Sequence, residues 1–348
     1  MTDLPESGFL TDFPAPATTS EAVTALAELP QPATIFQERP IVVTGASGLV
    51  GTHLCRQLVE AGWKVRGIVR DTEKAAARIG HLRLEIRTAD IRDSEAMRSA
   101  LADAGALVHL AAIAIEKRGE SYGATNTDAT GVLLDAARAT RVDRIVFMSQ
   151  NGASSSSPHR FLRSKGLAED MVTSSTTKWT VLKPSVIFGP EDEFVTVLAR
   201  LVRLSPLVFP LPGGGVARFQ PIAVDDVARA IRKVLEDTSS IHRTYSIGGS
   251  TPLTLRQMTE RILVAMNTSR KLVSVPIKAL RPLIAVAERT LPKPPVTTGL
   301  LDLLEIDNVI PDNDLGLLRI KPIPFAPEEL LYLREITVSS AVCSMFGH

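Results

Sequence analysis

The stretch IVVTGASGLVG, Ile41 to Gly51, decides how the rest of the chain is read. Ile41–Gly45 reads as a strand entering a turn, and the apolar spacing from Leu49 to Ala61 reads as a helix that stops at Gly62. Between them, Gly45 permits a tight turn, Gly48 lets backbone N–H groups approach a diphosphate, and Gly51 lets the helix pack close to the strand. The N-terminus of that helix supplies partial positive charge and unpaired donors for the anion. Three glycines alone also describe a plain structural turn. The strand-turn-helix setting, with three further strand-helix units behind it, favours the cradle.

Outward from this point, short apolar runs alternate with amphipathic stretches. KVRGIVR is a second strand, and Asp71 caps an alanine-rich helix that runs through Ile79. LRLEIRTAD is a third strand, Ser94–Ala102 a helix, and ALVHLAA (Ala106–Ala112) a fourth strand. A long helix over roughly Thr125–Ala139 leads into RIVFMSQ, the fifth strand. A helix carrying Phe161 and Lys165 follows, then a sixth strand, WTVLKPSVIFG. Near-continuous apolar strands alternating with helices predict an α/β fold, a doubly wound parallel sheet with a ligand crevice at the strand ends.

Past Gly189 the texture changes. Proline becomes frequent, LVRLSPLVFPLPGGG is apolar but broken, and helices are expected over Asp225–Glu236 and Thr254–Met266. The expected organisation is an extended arm over 1–39 and a dinucleotide-binding core over 40–190. A smaller C-terminal substrate lobe over 191–310 is interleaved with the last sheet strands, and a tail over 311–348 is too proline-rich for a second compact core. The first 38 residues carry no Lys or Arg and five prolines, so neither a secretory signal nor a mitochondrial presequence is expected; one short helix is expected near Ser20–Leu29.

Composition bounds the function. A net charge of +1 gives no strong pull toward nucleic acid or anionic membrane. No apolar run reaches the roughly 18 residues of a membrane span, so a cytoplasmic location is expected, with a peripheral membrane contact left open. Cys55 and Cys343 lie far apart and read as a buried helix thiol and a free tail thiol. The six histidines show no ligand spacing, so no metal site is expected.

The end of the second strand chooses between cofactors. An acid there would bond both ribose hydroxyls of NAD, whereas a base would pair with the 2′-phosphate of NADP. Arg70 falls where the strand should finish, and Asp71 reads better as a helix cap. NADP(H) is therefore favoured over NAD(H).

The chain resembles the short-chain dehydrogenase/reductase superfamily in its extended or atypical branch, the NAD-dependent epimerase/dehydratase group, and so implies a Rossmann core. The resemblance covers roughly Pro40 to Met266. It rests on TGASGLVG, on Asp90-Ile91, on HLAA at His109–Ala112, on Asn126, and on LKPSVIFGP, FQPIAVDDVARAI and YSIGGSTPLTLRQM. FLRSKGLAED, FGPEDEF and GGGVARFQPIAVDDVA extend the likeness to the nucleotide-binding accessory subunit of respiratory complex I and its free-standing bacterial relatives. By this resemblance, Asp90 would bond the adenine amino group and Ile91 would donate a backbone N–H. Ala111 and Ala112 would wall the diphosphate and ribose, Lys165 would bond the nicotinamide ribose, and Pro184 and Ser185 would border the nicotinamide. The full set expected around the dinucleotide is Gly45, Ser47, Gly48, Leu49, Val50, Gly51, Arg70, Asp90, Ile91, Leu110, Ala111, Ala112, Ser149, Lys165, Pro184 and Ser185. Plain alternatives stand beside these: Asp90 could cap a turn, the alanines could be core, and Lys165 could be a solvated helix lysine.

Active members of the superfamily use a Ser/Thr, a Tyr and a Lys. The lysine lowers the phenol's pKa so that it can exchange a proton with the substrate oxygen. Here the tyrosine position is Phe161 and the serine position is Asn151, which leaves Lys165 as the remaining member of the set. Phenylalanine cannot exchange a proton. Two substitutes are weighed, His159 in the NGASSSSPHR loop and Tyr122 before the long helix, and neither restores the acid with assurance. Asp225 and Asp226 look like a catalytic pair, yet the resemblance makes them structural, capping the following helix.

Three functions fit. The first is a protein that holds NADP(H) tightly in a structural, sensing or electron-transfer-associated role. The second is an active NADP(H)-dependent oxidoreductase or epimerase/dehydratase on an apolar, quinone- or terpenoid-like molecule, with LARLVRLSPLVFPLP and IKALRPLIAVAERTL lining the cavity. The third is a membrane-edge module of a respiratory assembly that docks those same segments.

Overall fold

The computed structural model describes residues 38–116, 119–292 and 294–346. The expected arm, with its short helix near Ser20–Leu29, falls outside the described residues except at its last two positions. The central sheet contains β1 (Ile41–Thr44), β2 (Val65–Val69), β3 (Glu85–Thr88), β4 (Ala106–His109), β5 (Arg144–Met148), β6 (Lys178–Pro184) and a last strand, Arg243–Ile247. From one edge to the other the order is Arg243–Ile247, β6, β5, β4, β1, β2, β3, with every pairing parallel. β1 pairs with β2 on one side and β4 on the other, Ile41 lying opposite both Val65 and Ala106. Connections therefore run one way from β1 to β3 and the other way from β4 onward. The winding reverses between β1 and β4, and in sheets of this kind ligands bind at the carboxyl ends of the strands at that point.

Alternation along the strands supplies both faces. Val43 points into a core with Leu54 and Ile231, while its neighbour Val42 points into a second core with Met97 and Leu133. The first face is covered by α1 (Leu49–Glu60) and α2 (Thr72–Ile79), the second by α3 (Ser94–Leu101) and α4 (Ala129–Ala139). Asp71 caps α2 as expected, its carboxylate accepting from the Lys74 N–H at 2.9 Å. The long helix starts differently from the sequence expectation. A π-helical turn, Gly123–Asp128, precedes α4 and buries Thr125 and Asn126. α5 (Arg160–Thr173) lies over β5 and β6 through Ala168 and Val172.

The second lobe has its own apolar core. α6 (Val195–Leu204) buries Val195, Leu198 and Val202 against Leu211, Met258 and Ile262. α7 (Val224–Glu236) returns to the sheet and packs on α1, whereas α8 (Leu255–Ala265) stays in the second lobe. Strand Val208–Pro212 pairs in parallel with Lys271–Val275. α9 (Ile277–Thr290) carries Pro282 internally and is tied to α10 (Thr298–Leu303) by Arg281 and Asp302 at 2.6 Å. Among the described residues, the tail adds Leu315, Leu318 and Ile320 to the sheet core. Its 3₁₀ stretch, Pro327–Glu335, inserts Leu330 and Leu333 into the second-lobe core, ahead of α11 (Val338–Phe346). Cys55 is buried and free, with burial pushing its thiol up to about 12, and Cys343 is exposed.

Candidate dinucleotide cleft

Of the three glycines in the turn at the carboxyl end of β1, Gly45 and Gly51 are required by steric necessity. Gly45 has φ 71°, and a Cβ there would lie 3.0 Å from the Ala111 nitrogen. A Cβ on Gly51 would come within 2.1 Å of the Gly45 carbonyl oxygen, so α1 can approach β1 only without a side chain. The Gly48 N–H donates to the Gly45 carbonyl at 2.9 Å, and no side chain caps the first turn of α1. Helix dipole and unclaimed amides thus face the crevice. Such a turn is compatible with a diphosphate: the first turn of α1 has no side-chain cap, and the glycines let backbone, not side chain, form the turn.

Around this turn the structure assembles most of the expected residues. Ser47 and Leu49 are half-buried and Val50 is buried. Leu110 and Ala111 follow β4 directly, and the Gly45 turn packs on them; Ala112 is exposed. Arg70 follows β2, is exposed, and forms an ion pair with Glu120. Asp90 is engaged by Arg92, whose Nη2 donates to its carboxylate at 2.6 Å and whose backbone N–H donates at 2.9 Å. That guanidinium holds the Asp90 carboxyl below the usual range. Ile91 is buried beside it.

The opposite end of the crevice is built by α5 and the extension of β5. Lys165 is only 5% exposed; its Nζ donates to the Met148 carbonyl at 2.7 Å and lies 4.6 Å from the Phe147 ring centre. Burial brings its pKa down to about 8, against an upward pull from Glu169. Phe161, one turn earlier, packs on Tyr122 with ring centres 5.7 Å apart. The Tyr122 hydroxyl donates to the Ala114 carbonyl at 2.9 Å, and burial raises its pKa, away from what a proton donor needs. His159 sits at the N-cap position of α5, its backbone N–H donating to Ser157 Oγ. His109 and Asn126, both from motif positions, are internal. His109 bonds Thr44 and Thr130, and burial lowers its pKa to about 3. The Asn126 side chain bridges the Ile113 backbone and Ser164.

Several residues absent from the sequence expectation complete this end. Ser149 donates to Glu169 Oε2 at 2.6 Å, and Lys183 pairs with Oε1 at 2.8 Å, so the serine hydroxyl is committed to a half-buried ionic cluster. Asn151 donates from Nδ2 to Asn308 Oδ1 at 2.8 Å and faces the Val309 carbonyl at 3.3 Å. Ser185 Oγ and the Gln220 N–H both donate to the Asn308 carbonyl at 3.0 Å. Pro184 accepts from the Asn151 N–H at 2.9 Å. Residues 307–310 therefore form a strap across the ends of β5 and β6, anchored outside by Arg218 and Asp307 at 2.7 Å. One local signal for this end did exist. A Cβ on Gly166 would lie 2.1 Å from the Ser154 carbonyl carbon, so the glycine after Lys165 lets the serine-rich loop rest on α5.

Asp225 and Asp226 are structural, but they do not cap α7. Asp225 bonds His53 at 2.7 Å and Arg56 at 2.9 Å on α1, while buried Asp226 accepts from the Ile323 N–H at 2.7 Å and pairs with Arg229. The segment expected to line an apolar cavity, Leu198–Pro212, contributes Leu198, Val202, Phe209 and Leu211 to the second-lobe core. Among the described residues, no group of three His, Cys, Asp or Glu could hold a metal ion, and no helix is long and apolar enough to cross a membrane.

Residues 41–248, more than half of the chain, match the model of the NAD dependent epimerase/dehydratase family. The chain belongs to that family. Its relatives differ in what they are named for. This epimerase/dehydratase-family chain is 29% identical over 290 residues to the mitochondrial NADH dehydrogenase [ubiquinone] 1 alpha subcomplex subunit 9 of Arabidopsis thaliana, covering 78% of this chain and 71% of that one. It is 28% identical over 188 residues to a ceramide reductase of Caulobacter vibrioides, covering 54% of this chain and 58% of that one. Among solved structures, a UDP-glucuronic acid 4-epimerase from Bacillus cereus superposes with a TM-score of 0.66 at 19% identity, over 85% of this chain and 99% of that one. That last likeness speaks to fold alone.

Proposed function

We propose that this chain holds NADP(H) in the cleft between the glycine-rich turn and α5, in a structural, sensing or electron-transfer-associated role, without the proton relay of active relatives. One observation carries the reading: the positions that would manage a proton are silent or occupied. Phe161 has no hydroxyl, Lys165 is bonded to the Met148 carbonyl, and Asn151 is bonded to the strap. The uncapped N-terminus of α1 supports dinucleotide binding, and exposed Arg70 after β2 supports a preference for the 2′-phosphate. A bound dinucleotide would supply hydride chemistry; the residues here would bind and orient it. The likeness to the complex I subunit supports a respiratory partner. Mass spectrometry of a denatured extract, with absorbance near 340 nm, tests retention. Protein that arrives without nucleotide and binds none, or that turns over briskly with carbonyls or quinones, overturns the reading.

Two observations favour other readings. The likeness to a ceramide reductase supports reduction of an apolar substrate with another proton source; NADPH consumption with a lipid ketone, absent from a Lys165→Met variant, would establish it. On α9, Leu283 and Val286 are 69% and 57% exposed and lie among the exposed basic residues Lys278, Arg281 and Arg289, which supports a peripheral contact with an anionic membrane. Flotation with anionic liposomes, lost in Leu283→Ser/Val286→Ser, would establish that; no flotation of the wild type rejects it.

A further inference from the structure

Arg78 lies in the last turn of α2, and its Nη1 donates to the Ser47 carbonyl at 2.7 Å. Ser47 sits between Gly45 and Gly48, so this guanidinium rests on the cradle itself. Its Nη2 forms an ion pair with Glu191, in the loop that follows the short strand Ile187–Phe188, and Glu193 adds negative potential beside it. The loop that delivers Glu191 is held firmly. Glu191 has φ 68°, a left-handed conformation that costs a non-glycine residue about 1 kcal/mol or more. The next residue, Asp192, is buried and accepts from the N–H groups of Phe194 at 2.8 Å and Thr196 at 3.1 Å, from Val195, and from the Tyr332 hydroxyl at 3.2 Å. A rigid turn of the second lobe thus presents an acid to a cation of the first, where an anionic ligand must arrive.

We propose that Arg78 is a phosphate-binding residue of the dinucleotide site and that Glu191 is the counter-ion it holds while no phosphate is present. The inference rests on reading the cleft as a dinucleotide site. A planar guanidinium accommodates carboxylate and phosphate with the same pair of parallel donors, so exchange needs only a shift of its free edge. The Ser47 bond keeps the side chain oriented in both states. Two phosphates could serve: the diphosphate shared by both nucleotides, or the 2′-phosphate that NADPH alone carries.

Calorimetric titration of the full chain with NADPH and with NADH, on wild type, Arg78→Gln and Glu191→Gln, decides the matter; thermal unfolding without nucleotide checks that each variant is folded. Arg78→Gln is expected to weaken NADPH binding by roughly tenfold or more, the loss of one charge-assisted contact. Glu191→Gln is expected to tighten it, since the resident competitor has gone. Equal weakening toward NADH in Arg78→Gln assigns the contact to the diphosphate, and weakening toward NADPH alone assigns it to the 2′-phosphate; both support the proposal. Wild type that binds while Arg78→Gln binds as well, or Glu191→Gln that binds as poorly as Arg78→Gln, overturns the proposal alone. Wild type that binds neither nucleotide overturns the underlying reading as well.

Discussion

Replacing Lys165 by methionine isolates what it costs to keep an ammonium inside this fold. Burial moves the Lys165 pKa from 10.5 to about 8. At about 1.4 kcal/mol per unit, the protonated folded state carries a penalty of about 3 kcal/mol relative to the unfolded chain. Against this, methionine leaves the Met148 carbonyl without its donor and gives up the contact of the amine with the Phe147 face, on the order of 1 kcal/mol each. Methionine fills the same slot with no charge. The variant is therefore expected to be about 1 kcal/mol more stable at pH 7. Between pH 8 and 10.5 the unfolded wild type keeps a proton that the folded form has released, so wild-type stability rises with pH through this window. The advantage of the variant should shrink accordingly and reverse by about pH 10. Below pH 8 both states are protonated and the difference is flat. Other groups facing Lys165 do not confuse the comparison: His109 stays neutral, and Glu169 with Lys183 is common to both proteins. Urea unfolding at several pH values, with matched m-values, reads the difference directly. A gap between the proteins that stays constant from pH 7 to 10, or a variant clearly weaker at pH 7, would refute the buried-charge argument.

Three further outcomes are expected. Phe161→Tyr combined with Asn151→Ser should raise NADPH-dependent carbonyl reduction at least about tenfold above the wild-type rate; equal rates in both would show that these positions do not limit that chemistry. Gly51→Ala should lose several kcal/mol of stability, because its Cβ would meet the Gly45 carbonyl at 2.1 Å, whereas Gly48→Ala, with a 3.1 Å approach, should unfold within about 1 kcal/mol of wild type yet bind nucleotide more weakly. Chemical denaturation and calorimetry separate the two effects, and similar stabilities for both variants would contradict the steric account. Asp192→Ala strands several buried N–H donors and should cost about 2–4 kcal/mol, with faster amide exchange confined to residues 189–196; uniform exchange across the chain would argue against a local anchor.

What could be read in advance was local. The strand-turn-helix at Ile41–Gly51 and the Asp71 cap follow from steric and hydrogen-bonding rules acting over a few residues, and they appear as written. So does the alternation that sends Val42 and Val43 into different cores. The missing pieces are contacts between residues far apart in the chain. Nothing periodic marks Asn308 as the partner of Asn151, Arg78 as a neighbour of Ser47, or Tyr332 as a donor to Asp192. Asp225 and Asp226 misled for a related reason. An acidic pair at a helix start looks like a cap, but α1 and the tail offered stronger partners than the helix's own amides. The tail's prolines interrupt regular structure between Pro311 and Pro327 without forbidding burial, so Leu330 and Leu333 could fill a core that other segments had begun.

The strap at residues 307–310 has a bearing on the order of events during synthesis. A ribosome delivers the glycine turn early and Asn308 late, so a dinucleotide that binds at the turn could arrive before the strap crosses the ends of β5 and β6. Nucleotide loaded then would be sealed in afterwards, and its residence time would follow how often that short peptide lifts away. Dissociation of nucleotide from the completed protein should then keep pace with hydrogen exchange at the Gln220 and Asn308 amides, which donate to the Asn308 and Arg218 carbonyls; release far faster than that exchange would show that the ligand leaves by another door.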